Sequence, residues 1–272
     1  MIQELFRVGP VAISPFGVLL VAAFLAAFFE LRRNLRRVGI DDPDAASSLV
    51  FAGGVGGVVG AKIYYAILYA DWRLLFDRSG LVWYGGFLLG TAAVVWTMRR
   101  RRLPFWPTLD AATPALALGY GVGRIGCFLV GDDYGRPTDL PWGVVFEHGL
   151  PPTNAFYLRR EFGVDLPASV NDADFLAVHP TQLYETAIAL VVWWIGRRLL
   201  ARGLPPGRTG LAVLALLAVE RFGIEFLRAK DDRFLGPLTV AQAISLVMLV
   251  VIAVLWPRIA RGSAPTSDGA RT

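Results

Sequence analysis

Long apolar stretches dominate this sequence and limit what it can fold into. A helix needs about 20 mostly apolar residues to cross the hydrocarbon core of a bilayer. Seven such stretches recur along the 272 residues, at about Val11–Phe29, Ala46–Tyr69, Leu81–Met98, Ala111–Val130, Thr181–Leu200, Thr209–Phe226 and Leu238–Leu255. Charged residues make up only 18% of the chain, whereas soluble domains average about 25%. The sequence therefore predicts an all-α polytopic membrane protein with seven transmembrane helices.

Basic residues are concentrated in alternate connecting segments. They follow the first, third, fifth and seventh stretches, as Arg32, Arg33, Arg36, Arg37, Arg99–Arg102, Arg197, Arg198, Arg202, Arg208, Arg258 and Arg261. Short loops rich in Lys and Arg stay in the cytoplasm. We therefore expect the N-terminus outside and the C-terminus in the cytoplasm. The net charge of +5 reflects this topology, and we expect no nucleic-acid partner.

The longest connection, residues 131–178, is expected to lie outside the membrane. A connection of this length is usually functional or disordered, and this one carries Trp142, Phe146, Phe156, Tyr157, Phe162 and Phe175. We predict that these apolar side chains build a small external cap. Residues 1–261 are then one membrane domain that includes the cap, and 262–272 form a disordered cytoplasmic tail. The start of the chain lacks the basic n-region of a signal peptide, so we expect the first apolar segment to be retained.

Five ionisable residues lie inside the apolar stretches, where charge is costly and usually functional. They are Lys62, Arg124, Glu220, Arg221 and Glu225. Arg221 and Glu225 are four residues apart, so they share a helix face and can pair. One interpretation is an ion-pair network between helices. The other, which we favour, is that Arg124 and Arg221 bind a phospholipid headgroup, because guanidinium groups bind phosphate bidentately.

Three further polar or glycine-rich positions are expected near the external ends of the helices. Gly85 and Gly86 either unwind the start of the third stretch, exposing N–H groups to an anion, or allow close helix packing. Lys62 is either a structural anchor or a headgroup contact. The fifth stretch opens with His179, Pro180 and polar side chains as far as Glu185, and proline suits a first helical turn.

Four motifs together resemble the signature of the bacterial prolipoprotein diacylglyceryl transferase family. They are Gly123–Phe128 continuing into Gly131–Thr138, His179–Glu185, Arg221–Phe226, and the Gly85–Gly86 pair. The resemblance implies an inner-membrane enzyme that moves the sn-1,2-diacylglyceryl group of phosphatidylglycerol to the lipobox cysteine thiol of a preprolipoprotein. The products it implies are a thioether and glycerol-1-phosphate. It implies no cofactor and no metal.

The resemblance also implies roles for individual residues. Arg124 and Arg221 would hold the phosphate, with Glu225 positioning Arg221. The remaining substrate-binding residues that it implies are Gly85, Gly86, Asp133, Gly135, Gln182, Tyr184 and Glu185, and we expect Lys62 and Cys127 to join them.

The chain departs from the best-studied members of that family at three positions. Tyr84 stands where they carry His, Cys127 where they carry Asn, and Phe16 where they carry Tyr. A phenol has an ordinary pKa near 10, so the thiol proton would go either to an activated Tyr84 or to His179. Two other functions stay open: a relative that uses the same lipid with a different acceptor, and a lipid transporter.

Overall fold

A computed structural model describes residues 4–9, 11–76, 82–229, 233–235 and 238–261. Within these ranges the helices are α1 (Pro15–Arg37), α2 (Ala45–Leu68), α3 (Trp83–Arg100), α4 (Phe105–Val130), α5 (Ala155–Arg160), α6 (Thr181–Ala201), α7 (Arg208–Ile224) and α8 (Val240–Arg261). A 3₁₀ turn spans Trp72–Leu75. Two short hairpins pair β1 (Phe6–Val8) with β2 (Val11–Ile13), and β3 (Arg233–Leu235) with β4 (Leu238–Thr239). Each of the seven predicted apolar stretches overlaps one of the long helices.

Four of these helices, α1, α2, α4 and α8, are long and apolar enough to cross a membrane. The chain is thus a polytopic helical membrane protein. The other three long helices are shorter or more polar: α7 has 17 residues and includes Glu220 and Arg221. That α3, α6 and α7 also cross the bilayer stays a prediction.

The first apolar stretch begins differently from the prediction. Val11–Ile13 form a strand rather than the start of the helix, so the all-α expectation omits this hairpin and the one before α8. Helix α1 begins at Pro15 because the Ser14 hydroxyl accepts a hydrogen bond from the Gly17 N–H at 3.1 Å. Serine before the helix and proline at its first position are both favourable at a helix start.

Helix α4 is the centre of the packing. It lies against α1, α6 and α7, and α7 also packs on α8. Helices α2 and α3 form a tight pair that joins the rest through α1. Their close approach depends on Gly60 and Gly85, because a Cβ on either residue would overlap the carbonyl oxygen of the other.

Polar contacts gather the arginine-rich ends of the helices at one end of the bundle. Arg101, after α3, pairs with Asp42 before α2 at 2.9 Å. Arg197 near the end of α6 lies 3.3 Å from the buried Glu30 of α1. The Asp110 carboxylate of α4 accepts hydrogen bonds from the N–H groups of Gly207 (2.6 Å) and Gly210 (2.5 Å), which positions the start of α7.

The segment 131–178 is folded around its own apolar cluster. The buried side chains of Tyr134, Phe146, Leu158 and Val178 form this cluster together with Ala229. The Tyr134 and Phe146 rings stack with their centroids 5.6 Å apart. That this segment is external stays a prediction, and the predicted tail at 262–272 lies outside the described residues.

Candidate active site

Arg124 lies near the end of α4, and its side chain is only 10% exposed. Its Nη2 forms an ion pair with the Glu185 carboxylate on α6. Its Nη1 donates to Asp133 Oδ2 at 3.0 Å and lies 3.7 Å from the Cys127 sulfur. The guanidinium is therefore held by two carboxylates from separate segments of the chain.

Glu185 is the point at which three helices meet. Its side chain is fully buried, and its Oε1 lies 3.7 Å from Arg221 Nη1 on α7. The same oxygen accepts a hydrogen bond from the Tyr120 hydroxyl on α4 at 3.0 Å. The two arginines that the sequence predicts to bind phosphate thus converge on one carboxylate.

Two more ion pairs extend this group. Arg221 pairs with Glu225 at 2.9 Å, the i,i+4 pair expected from the sequence. Arg228, which follows α7, donates to Asp133 Oδ1 at 2.7 Å. Three arginines therefore alternate with three carboxylates. We call this set the arginine–carboxylate cluster: Arg124, Arg221, Arg228, Asp133, Glu185 and Glu225.

Some charge in this cluster faces solvent and some donors remain unused. Asp133 is 44% and Arg221 33% exposed, so the cluster is open at these two residues. Among the described residues, the buried Nε atoms of Arg124 and Arg228 have no hydrogen-bond partner. A buried donor without a partner costs about 1–3 kcal/mol, so an anion that accepts from these groups would stabilise the site.

Asp133 is ionised throughout the physiological range. Burial acts to raise the pKa of this carboxyl, but Arg228 and Arg124 outweigh that effect and hold the pKa well below its usual range. The residue also adopts a left-handed conformation with φ of 58°, which is uncommon outside glycine. Its contacts with two arginines stabilise this conformation.

The start of α6 holds the loop that carries Asp133. The Thr181 hydroxyl donates to the Asp133 carbonyl at 2.9 Å, and the Gln182 amide donates to the Asp132 carbonyl at 2.5 Å. Gln182 is fully buried, so its described contact is with the protein backbone and not with an open cavity. The Gly135 N–H donates to the His179 carbonyl at 2.9 Å.

A second polar group joins the cap segment to the start of α6. Trp142 Nε1 donates to the Tyr184 hydroxyl at 2.7 Å, and His179 Nδ1 lies 3.4 Å from the same oxygen. Partial burial lowers the pKa of His179. Its imidazole is therefore neutral at pH 7 and able to accept a proton.

The structure places the remaining predicted residues on the α2–α3 pair. Helix α3 begins at Trp83, so Gly85 and Gly86 are helical and its start is not unwound. Gly85 packs against Gly60, which supports the close-packing alternative. Lys62 on α2 and Tyr84 on α3 are half-buried. The cluster belongs to α4, α6, α7 and their loops, so the grouping of Tyr84 and Lys62 with it stays a prediction.

Sequence reasoning missed two members of this site, Tyr120 and Arg228. Tyr120 could have been found, because it stands four residues before Arg124 on α4, whereas Arg228 lies beyond the end of α7 at Ile224 and has no such signal. Residues three or four apart lie on one face of a helix. This spacing was the available signal for Tyr120.

Comparisons with known proteins agree with the motifs. Residues 3–258 match the family model described as prolipoprotein diacylglyceryl transferase. Three similar proteins are each named phosphatidylglycerol–prolipoprotein diacylglyceryl transferase. The one from Chromohalobacter salexigens is 32% identical, over 92% of this chain and 90% of its own. The protein from Synechococcus elongatus is 30% identical, over 93% of this chain and 86% of its own. The protein from Xanthomonas campestris pv. campestris is 34% identical, over 92% of this chain and 88% of its own. The chain belongs to the prolipoprotein diacylglyceryl transferase family.

Proposed function

We propose that this chain transfers the sn-1,2-diacylglyceryl group of phosphatidylglycerol to the cysteine thiol of a preprolipoprotein lipobox. The names of its relatives support this donor and this acceptor. In the reaction, the thiol sulfur bonds to the glyceryl carbon that carries the phosphate. The bond between that carbon and the phosphate oxygen breaks, glycerol-1-phosphate leaves, and a base takes the thiol proton.

The observation that carries this proposal is the convergence of Arg124 and Arg221 on Glu185. The buried carboxylate holds two guanidinium groups, from separate helices, close to each other. Phosphate is the anion in a bilayer that such a pair fits, because its several oxygens can accept from two guanidinium groups at once. The exposed part of Arg221 and the unused Nε of Arg124 are the groups that we assign to the lipid phosphate.

Two held guanidinium groups suit the chemistry of the departing group. Negative charge on the phosphate increases as its bond to carbon breaks. Donors already in place at that position stabilise the transition state more than the ground state, and a single such donor is worth about 10²–10³ in rate. The three carboxylates of the cluster balance the three arginines before lipid binds, which reduces the cost of burying them.

We assign the proton-accepting role to His179, with Tyr84 as the alternative. His179 is neutral at pH 7 because burial lowers its pKa. It adjoins the loop of Asp133 through the hydrogen bond from Gly135. Tyr84 would first have to lose its own phenolic proton, whereas a neutral imidazole accepts a proton directly.

We further propose that all seven long helices cross the bacterial inner membrane. The arginine-rich ends gather at one end of the bundle, and such ends stay in the cytoplasm. The arginine–carboxylate cluster lies at the other ends of α4, α6 and α7, beside the folded segment 131–178. This orientation puts the N-terminus, the cap and the site outside, and the C-terminus in the cytoplasm.

The test is reconstitution of the full chain in vesicles with phosphatidylglycerol and a lipobox peptide. Mass spectrometry should find a thioether-linked diacylglyceryl peptide and an equal amount of glycerol-1-phosphate. Consumption of phosphatidylglycerol without lipobox modification would point to a different acceptor. Movement of lipid between leaflets without any chemical product would instead indicate a transporter.

A further inference from the structure

An apolar groove runs between α2 and α3, which carry none of the six residues that define the arginine–carboxylate cluster. Its volume is about 490 Å³, and its lining includes Phe51, Ala52, Val55, Val59 and Leu89. Phe51 is 73% and Val55 46% exposed. These side chains belong to helices of a membrane protein, so the groove opens toward the lipid acyl chains.

One end of this groove is cationic. Arg100 and Arg101 line it together with Trp96, and they lie at the arginine-rich end of the bundle. The Arg100 Cζ is 4.7 Å from the centre of the Trp96 ring, which orients the guanidinium beside the groove. Arg101 is paired with Asp42, whereas Arg100 forms no ion pair with a carboxylate in the described part of the chain. Arg100 is therefore available to a negatively charged ligand.

We propose that this groove binds an anionic phospholipid of the cytoplasmic leaflet. One acyl chain lies along the apolar lining, and the headgroup phosphate is bound by Arg100, with Arg101 beside it. Basic pockets between transmembrane helices on the cytoplasmic side are a general way of binding anionic headgroups. The site is separate from the donor-lipid site, which we place at the opposite end of the bundle.

Two other occupants fit the groove less well. A signal peptide begins with a basic n-region, which would meet Arg100 and Arg101 in the proposed orientation and be repelled. A helix from a second copy would need small residues for close approach. The apolar side chains that this groove exposes most are instead the larger ones of Phe51, Trp96 and Val55.

The physics of the bilayer determines how this site selects its ligand. An acyl chain gains little hydrophobic energy on moving from other lipid chains into an apolar groove. Selectivity must therefore come from the headgroup charge. We expect a preference for anionic over zwitterionic lipid that weakens at high salt, because the headgroup contact is exposed to screening.

The experiment uses the full chain in phosphatidylcholine nanodiscs that contain a trace of phosphatidic acid with a photoactivatable acyl chain. Peptide mapping after illumination should locate cross-links on the groove residues of α2 and α3. Phosphatidic acid should label these residues about five-fold more strongly than equally photoactivatable phosphatidylcholine does. A preference of this size is what one basic residue at a membrane surface provides. This readout needs no transferase activity, so it stands apart from the proposed function.

Three variants test whether Arg100 and the apolar lining of the groove bind the lipid. Arg100→Gln should lower the groove labelling about five-fold. Arg99→Gln is the matched control, because Arg99 is exposed and carries the same charge but does not line the groove; it should leave the labelling unchanged. Val55→Trp should block the groove and remove the labelling. Equal labelling by both lipids, or an equal effect of Arg99→Gln and Arg100→Gln, would overturn the proposal.

Discussion

Glu185 on α6 forms an ion pair with Arg124 on α4 although the first side chain is fully buried and the second only 10% exposed. Breaking such a pair by removing one partner leaves an uncompensated buried charge, which typically costs about 3–5 kcal/mol. The same carboxylate also contacts Arg221. Glu185 therefore determines where both guanidinium groups lie.

Glu185→Gln should lower the stability of the protein and make it depend on anionic lipid. Glutamine keeps the size of the side chain but leaves Arg124 and Arg221 without their shared counter-charge. A lipid phosphate at this site would replace part of that charge. Thermal unfolding in nanodiscs should show a larger rise in Tm with added phosphatidylglycerol for the variant than for the wild type. An equal rise in both proteins would contradict a phosphate site between these arginines.

Asp133→Asn should destabilise the protein most near neutral pH and less at acidic pH. The arginines depress the pKa of Asp133 in the folded state, whereas the unfolded value is about 3.9. The stabilisation is thus fully present above about pH 5, declines below the unfolded-state pKa, and is lost completely only as the pH falls through the folded-state pKa. The free energy of unfolding of the wild type and of Asp133→Asn should be measured from pH 7 to pH 3. The difference between the two proteins should be constant down to about pH 5 and smaller below pH 4.

Asp172→Asn provides the matched control for that experiment. Asp172 pairs with Arg159 at the surface of the cap segment and is 62% exposed. Exposed pairs are worth about 0–1 kcal/mol, so this variant should unfold like the wild type. If the difference in the free energy of unfolding between the wild type and Asp133→Asn stays constant down to pH 3, the ion-pair role of the Asp133 carboxylate is contradicted.

Gly135→Ala should disrupt the loop beside the cluster. A Cβ at this position would lie 2.5 Å from the Leu227 carbonyl oxygen and 2.7 Å from the His179 Cβ. Overpacking of this kind costs about 1–3 kcal/mol or more. Gly123→Ala is the comparison, since a Cβ there meets no atom within 4 Å and alanine favours the helix. Tm should fall for the first variant and hold or rise for the second; the same loss in both would refute the steric account.

His179→Gln should lower the transfer rate about 100-fold or more, the usual contribution of a general base. The rate of the wild type should fall at acidic pH as His179 becomes protonated, at a pH below the ordinary 6.5 because burial lowers the pKa of this imidazole. Tyr84→Phe should stay close to the wild-type rate. The reverse result, a slow Tyr84→Phe and an active His179→Gln, would assign the base to the phenol instead.

Hydrophobicity and helix signals predicted much of the fold, because an apolar stretch near the length of a membrane crossing has few alternatives to a helix. The start of α1 was misplaced because Val11 and Ile13 are as apolar as the helix, and only the Ser14–Pro15 pair marks the boundary. The glycine pair at 85 and 86 was ambiguous because its meaning depends on Gly60, which lies on another helix.

Contacts between distant parts of the chain could not be predicted in the same way. Arg228 and Asp133 are separated by 95 residues, and Gly210 and Asp110 by 100. Neither pair has a local spacing that suggests contact, and both depend on how α4 and α7 pack. Arg124 and Arg221 were found because charge inside an apolar stretch is conspicuous, but the carboxylate that joins them needed the structure.

The most direct test of a phosphate held by Arg124 and Arg221 is the transfer rate of Arg124→Gln in vesicles with phosphatidylglycerol and a lipobox peptide. The exposed Arg202→Gln serves as the charge-matched control, and rates are compared per amount of folded protein. We predict a loss of at least about 100-fold for Arg124→Gln and wild-type turnover for Arg202→Gln. A folded Arg124→Gln enzyme that turns over at the wild-type rate would contradict the account.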